Sequence, residues 1–353
     1  MIKNYRALFK KVARSCILYS MSKLRALTGD RPTGKLHLGH YVGSLQNRVL
    51  LQDTHDQYIM IADVQGLSAN AQDPKKIRDN VLEVALDYLA VGLDPKKNTI
   101  FIQSLIPEIA ELTIYFLNLV TISRIGQNPT IKTEMKEKGY DTSVPAGFYI
   151  HPISQAADIL IFKANTVPVG GDQLPMLEQT NEIVEKFNRF YGAVFEKVSP
   201  LVSQTPRLCG IDGKAKMSKS LGNAIYLSDS KKEIEKKVMD MYTDPEHIKA
   251  TDPGHVEGNV VFLYLDIFDS RKDEVADLKK QYAQGGLGDV IIKKRLIEVL
   301  EELIAPMRAR REEYAKDKKA VFAMLEKGTQ NARIIAAQTL KEVRGAIGID
   351  YFV

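Results

Sequence analysis

Gly29-Asp30-Arg31-Pro32-Thr33-Gly34-Lys35-Leu36-His37-Leu38-Gly39-His40 decides how this chain is read, because it joins a turn-forming run to two histidines around a glycine and then enters a helical pattern. Leu24 to Thr28 reads as a short strand, and Gly39 to Asp53 carries Val42, Leu45, Val49 and Leu50 at helical spacing. The histidines therefore lie at a strand-to-helix turn. Free backbone N–H groups and the helix dipole at such a turn attract phosphate, which points to a nucleotide site. Gly29, Gly34 and Lys35 also satisfy most of a G-x-x-x-x-G-K-[ST] phosphate loop. That match fails at its last letter, where Leu36 replaces the metal-holding hydroxyl, and Pro32 removes one backbone donor. A third reading is plainer: two solvated histidines beside a turn.

Far downstream, after a loop bearing Gly210 and Gly213, stands Lys216-Met217-Ser218-Lys219-Ser220. It offers two ammonium groups and two hydroxyls on a segment able to close over a triphosphate and hold charge as it gathers on departing pyrophosphate. With this partner the first stretch acquires a family. His37-Leu38-Gly39-His40 resembles the HIGH signature of class I aminoacyl-tRNA synthetases, and Lys216 to Ser220 spells their KMSKS signature in full.

At 353 residues, with 44% hydrophobic and 26% charged content, the chain is long enough for about two ordinary globular domains. Its longest apolar runs fall well short of the ~20 residues that a bilayer requires. Cys16 and Cys209 are its two cysteines, too few for a disulfide framework or a thiolate zinc site, which suits an intracellular protein with bystander thiols. The formal charge of +5 is local: residues 1–20 hold five of the 49 basic residues and none of the 44 acidic ones, so the remainder balances. Residues 1–21 are expected to be a basic extension before a true start at Met21, ahead of a transit peptide or a nucleic-acid-binding arm as alternatives.

From Leu24 to about Gln204, short strand-like runs alternate with longer helical ones: Tyr58 to Ala62, Pro74 to Val91, Thr99 to Gln103, Ile106 to Leu119. This βα succession predicts a Rossmann-like, doubly wound parallel sheet with ligands at the carboxyl ends of the strands, where Asp63, Gln65 and Gln103 fall. Asn128 to Pro145 reads as an exposed loop or helix above the site. Asp158, between Ala157 and Ile159 on a helix-like apolar segment, must find a donor or a wet edge. Its place before the turn Gly170-Gly171-Asp172-Gln173 favours a ligand role over an ion pair or a cap. After the KMSKS run the pattern becomes long amphipathic helices, Lys231 to Tyr242, Val260 to Phe268, Lys272 to Gln284, Asp289 to Lys316, Lys319 to Lys327 and Asn331 to Ile347. These predict an all-helical C-terminal domain. Lys293, Lys294, Arg295, Arg308, Arg310 and Arg311 either face RNA or form solvated helix faces.

Residues 24–353 resemble the bacterial-type tryptophanyl-tRNA synthetases in Gly29 to Gly34, His37 to Tyr41, Ala156 to Leu160, Val167 to Gln173 and KMSKS. The resemblance implies a cytoplasmic, homodimeric class I ligase, not associated with a membrane, that makes tryptophanyl-adenylate from L-tryptophan and Mg-ATP and then esterifies tRNA(Trp). It implies a catalytic domain over 22–224 and an anticodon-binding region over 225–353, the last helix packing back on the first. His37, His40, Lys216 and Lys219 would be catalytic. Arg31, Pro32, Thr33, Gly39, His40, Gly170, Gly171, Asp172, Lys216, Met217, Ser218, Lys219 and Ser220 would border ATP, and Asp158, Gln173 and His151 the tryptophan. No protein-held metal is implied, the Mg2+ arriving with ATP. Many members carry Gln at position 31, Asn at 40, His at 65 and Tyr at 151, so Gln65 is left without a role. A tyrosyl enzyme and a non-catalytic paralogue are the alternatives. Against the first, Ala156 and Ala157 leave room for a two-ring side chain, and against the second, the signature residues are intact.

Overall fold

The computed structural model describes residues 24–140, 143–203, 208–219 and 221–352. The basic extension, the start at Met21, Cys16 and Ser220 lie outside them. Strands β1 (Arg25–Asp30), β2 (Asp56–Ile61), β3 (Asn98–Ile102), β4 (Thr166–Val169) and β5 (Ser199–Val202) form a parallel sheet in the spatial order β3-β2-β1-β4-β5. The chain thus winds outward from β1 to β3 and then crosses to the other side for β4 and β5. The order reverses between β1 and β4, which is where an open parallel sheet offers a ligand crevice.

Both faces are covered over β1 to β4, so these strands read as apolar runs, while the edge strand β5 is exposed along its length. Ile59 and Ile61 of β2 turn toward Val84 and Leu89 of the helix Pro74–Ala90 and Leu296 of the helix Asp289–Ala315. Tyr58 and Met60, one residue out of phase, turn toward Phe116, Ile153 and Phe187 of the helices Glu108–Leu117, His151–Leu160 and Leu174–Tyr191. Each fully buried apolar side chain contributes roughly 1.5 to 3 kcal/mol, so these two layers fix the register on which the strand ends depend.

Two expectations need correction. The break between Lys327 and Asn331 does not occur: Lys318–Ile347 is one helix of 30 residues. Gly328, inside the expected gap, is a point of contact, since a Cβ there would lie 2.0 Å from the Ile100 carbonyl oxygen of β3. Next to it, the Thr329 hydroxyl accepts from the Ile102 N–H at 3.3 Å and donates to the Leu325 carbonyl at 2.7 Å. The helix thereby closes the outer edge of β3. The second correction concerns the basic residues, most of which are engaged inside the protein. Lys293 donates to the Met239 and Met241 carbonyls at 2.8 and 2.9 Å, Arg310 to the Ala90 carbonyl at 2.7 Å, and Arg311 to Asp87 at 2.7 Å. Arg295 pairs with Asp269 at 2.7 Å and also with Glu274, and Arg308 with Glu301. Lys294 and Arg310 remain exposed, the latter despite its bond.

Gly328→Ala is expected to destabilise the protein by roughly 1 to 3 kcal/mol, since either the helix or β3 must move. A thermal melt equal to that of the unmutated chain would show that the helix does not seat on β3.

Candidate active site

Strands β1 and β4 pair at a single position, Ala26 with Thr166, and then part. Pro168 has no N–H to give to a ladder, which suits it to a strand that leaves its neighbour. A cavity of about 340 Å³ opens where they separate, lined by Leu27, Thr28 and Gly29 on one side and Val167, Pro168 and Val169 on the other. Asp158 and Ile159 form its floor, and Arg31, Thr33, His40, His151, Gly170 and Gln173 stand around it.

The two signature segments meet at the rim. Leu38 N–H donates to the Ile225 carbonyl and Leu227 N–H to the Leu36 carbonyl, both at 3.0 Å, so the chain beyond the lysine loop is clamped to the histidine turn. Met217 is buried in the shared core, which leaves Lys216 and Lys219 on either side of it. Lys219 Nζ reaches the Gly34 carbonyl at 2.6 Å. This approach uses the left-handed conformation of Gly34 (φ +143°), where a Cβ would stand 3.2 Å from the lysine stem. Lys216 pairs with Asp172 at 3.1 Å. Burial brings Lys219 down to about 8.

His37 Nδ1 accepts the Gly39 N–H at 3.1 Å, and His40 Nδ1 accepts the His37 N–H at 3.2 Å. A ring whose Nδ1 accepts carries its proton on Nε2, so both imidazoles are neutral donors in a fixed tautomer. Burial above all, with the nearby cations, depresses His37 to about 2; burial likewise depresses His40 to about 4, against the Asp30 carboxylate, which raises it.

Arg48, only 1% exposed, lies beneath this turn. Its guanidinium donates to Asp30 at 2.7 Å and to Ser44 at 2.9 Å, and it stacks over Tyr88, whose hydroxyl donates to the same Asp30 oxygen at 2.9 Å. Burial alone would raise the Asp30 carboxyl, but Arg48, His40 and Tyr88 together bring it down to about 2. An ionised Asp30 therefore sits at the carboxyl end of β1 beside the cavity.

Asp158, 1% exposed, is met by two carboxamides: Gln103 Nε2 donates to Oδ1 at 2.7 Å and Gln65 Nε2 to Oδ2 at 3.2 Å. Gln65 is itself held, its nitrogen donating to Ser154 at 2.8 Å, its oxygen accepting from His151 Nδ1, and its backbone N–H donating to Gln103 Oε1 at 3.1 Å. Burial pushes the Asp158 carboxyl up to about 7 against these two donors, and burial with Arg31 pushes His151 down to about 3. Sequence reasoning noted Gln65 and Gln103 as strand-end residues but gave neither a role.

Against known proteins, the sequence pattern described as tRNA synthetases class I (W and Y) matches residues 20–305. The chain belongs to this family. It is 58% identical to a tryptophan–tRNA ligase of Clostridium longisporum, covering 94% of this chain and 99% of that one. Its identity to a tryptophan–tRNA ligase of Streptococcus pneumoniae is 56%, covering 94% and 100%. A crystal structure of tryptophanyl-tRNA synthetase from Campylobacter jejuni, in complex with ADP and tryptophan, superposes with a TM-score of 0.80 at 29% identity, covering 92% of this chain and all of that one. Membership in this class implies ATP as a substrate.

Within this class I fold, the residues expected near the triphosphate do not all line the cavity. Arg31, Thr33, His40 and Gly170 do; Pro32 packs under Gly66; Gly39 and Met217 face each other; Gly171 and Asp172 lie on an exposed turn. Ser218 N–H donates to Asn223 at 2.8 Å, which ties the backbone of the lysine run to the turn after it. Glu134, from the helix Pro129–Glu137 expected above the site, reaches the cavity 3.9 Å from Arg31. Among the described residues no group of three His, Cys, Asp or Glu is placed to hold a metal, and no helix is long and apolar enough to cross a membrane.

The neutral imidazoles make stability depend on pH. Unfolded histidine takes up a proton below about 6.5, whereas folded His40 resists until about 4, so its contribution is complete above pH 6.5 and falls as the pH drops toward 4. His40→Asn is expected to remove about 1 to 2 kcal/mol of the loss of stability between pH 6.5 and 4.5. Parallel curves for the two proteins would mean that His40 is protonated in the fold.

Proposed function

We propose that the chain is a tryptophan–tRNA ligase that activates L-tryptophan with Mg-ATP and transfers it to tRNA(Trp). The observation that carries this reading is the position of Asp158: a buried carboxylate on the floor of a cavity whose rim holds His40, with Lys219 beside it. Indole N–H is a donor on an otherwise apolar double ring, so it satisfies the remaining acceptor capacity of Asp158; Ala156 and Ala157, expected to leave room for the ring, instead pack into the core on other faces of the helix. His151 and Gln173 flank the amino-acid end of the cavity.

In the reaction, a carboxylate oxygen of tryptophan attacks the α-phosphorus of ATP, and the bond to pyrophosphate breaks. Negative charge then grows on the leaving pyrophosphate. His37 and His40 donate from Nε2 to the phosphate oxygens, and Lys216 and Lys219 stabilise the departing charge; Lys216 exchanges its Asp172 partner for the triphosphate. Arg31, Pro32, Thr33 and Gly39 border the nucleotide, Gly170, Gly171 and Asp172 the ribose, and Met217, Ser218 and Ser220 the closing loop. Mg2+ arrives with the nucleotide. In the second step the tRNA terminal hydroxyl attacks the carbonyl of the adenylate and AMP leaves. Residues 22–224 serve as the catalytic domain and 225–353 as the anticodon-binding region. The protein works as a homodimer in the cytoplasm.

Lys219→Ala is expected to lower the single-turnover rate of adenylate formation by about 3 kcal/mol, roughly a hundredfold, and to raise KM for ATP far less. Unchanged single-turnover adenylation would reduce the lysine run to a surface loop. Asp158→Ala should depress kcat/KM for tryptophan at least about tenfold and narrow the preference over phenylalanine, since a hydrogen bond to a charged group contributes ~1.5 to 3 kcal/mol. Unaltered selectivity in that variant would remove the basis of the tryptophan assignment.

A further inference from the structure

We infer that Gln65 is a positioning residue for amino-acid selection: its carboxamide, locked in one orientation by His151, keeps Asp158 an acceptor directed at the substrate ring. This rests on the reading of Asp158 as the partner of the indole N–H. A carboxamide can present either its oxygen or its nitrogen, and presented the wrong way round to Asp158 it would repel the carboxylate. Three bonds decide the matter here. The Gln65 oxygen can only accept, so the neutral His151 that it faces must carry its proton on Nδ1 to meet it; the Gln65 nitrogen then has its two hydrogens for Ser154 at 2.8 Å and Asp158 at 3.2 Å. The Gln65 backbone N–H holds the Gln103 oxygen at 3.1 Å, which turns the Gln103 nitrogen toward the other Asp158 oxygen at 2.7 Å. One residue thus orients both donors.

The consequence is chemical. With one donor on each oxygen, Asp158 keeps lone pairs for a third donor. Were it protonated, its O–H would seek an acceptor, which an indole N–H is not. The two carboxamides favour the ionised form, while burial opposes them and Asp63 adds repulsion. His151 is neutral, and Arg31 acts on His151. Loss of the Gln65 donor therefore moves Asp158 toward its protonated form at neutral pH, with no change at the triphosphate end.

The chain contains no tryptophan, so the fluorescence anisotropy of L-tryptophan reports its binding to the full-length protein without background. In the unmutated protein, Kd should weaken as the pH falls below about 7, the value to which Asp158 is raised. Gln65→Met, similar in size but without donors, should move this limb upward by about one pH unit and weaken Kd at neutral pH roughly tenfold. The turnover number at saturating tryptophan and KM for ATP should stay within about twofold, because uniform binding of the amino acid is what is lost. Gln65→Glu, which keeps the acceptor for His151 but places a second carboxylate beside Asp158, should move the limb in the same direction and serves if the methionine variant does not fold. Native Kd and a native limb in the folded variant, even with a lowered melting point, would overturn the inference. Asp158→Asn separates the two readings: it should abolish the limb, and a limb that persists there would overturn the assignment of Asp158 itself.

Discussion

The parting of β1 from β4 after a single pair, Ala26 with Thr166, is the constraint from which the site follows. Had the two strands stayed paired to their ends, the space between Thr28 and Pro168 would be filled by backbone hydrogen bonds. Because they separate, the floor of the gap must be supplied from below, and the helix His151–Leu160 does this with Asp158. Its roof comes from the turn after β1. The clamp between Leu36–Leu38 and Ile225–Leu227 then carries the lysine loop to that roof from a segment nearly two hundred residues away in sequence.

Electrostatically the two ends of the cavity are built differently. At the roof, cations collect: Lys219, Arg31 and Arg48 stand near neutral imidazoles, and Asp30 is the buried anion that balances them. Breaking that pair from one side would leave a buried charge uncompensated, which typically costs about 3 to 5 kcal/mol. At the floor the polarity is reversed, with one carboxylate met only by neutral donors. Such an acid is expensive to hold ionised, and a substrate that brings one more donor lowers that cost. In the proposed function, the roof receives a polyanion and the floor a single neutral donor on an apolar body, and the reaction joins the two between them.

Much of this was legible in the sequence because it depends on local pattern. Short apolar runs alternating with longer helical ones gave the strands, and a lone Asp158 among alanines and isoleucine marked an acid that the structure places at the cavity. What stayed illegible depends on partners distant in the chain. Arg48 looks like any polar residue on a helix until Asp30 and Tyr88 close around it. Gln65 acquires meaning only when Ser154, His151 and Asp158 arrive from some ninety residues away. The glycine at position 328 acquires its reason only from the Ile100 carbonyl, which requires the absence of a side chain there. The arginines of the C-terminal helices read as a basic surface because their carboxylate and carbonyl partners are invisible in one dimension.

The account stands most directly on the claim that this cavity couples a triphosphate to one particular amino acid. Exchange of labelled pyrophosphate into ATP, measured with the purified chain and each proteinogenic amino acid in turn, tests it. Tryptophan alone should support exchange, since phenylalanine leaves Asp158 without its third donor, a mismatch that can cost about 10⁴ to 10⁵ in selectivity. Exchange that runs equally well with tyrosine, or hydrolysis of ATP that needs no amino acid, would contradict it.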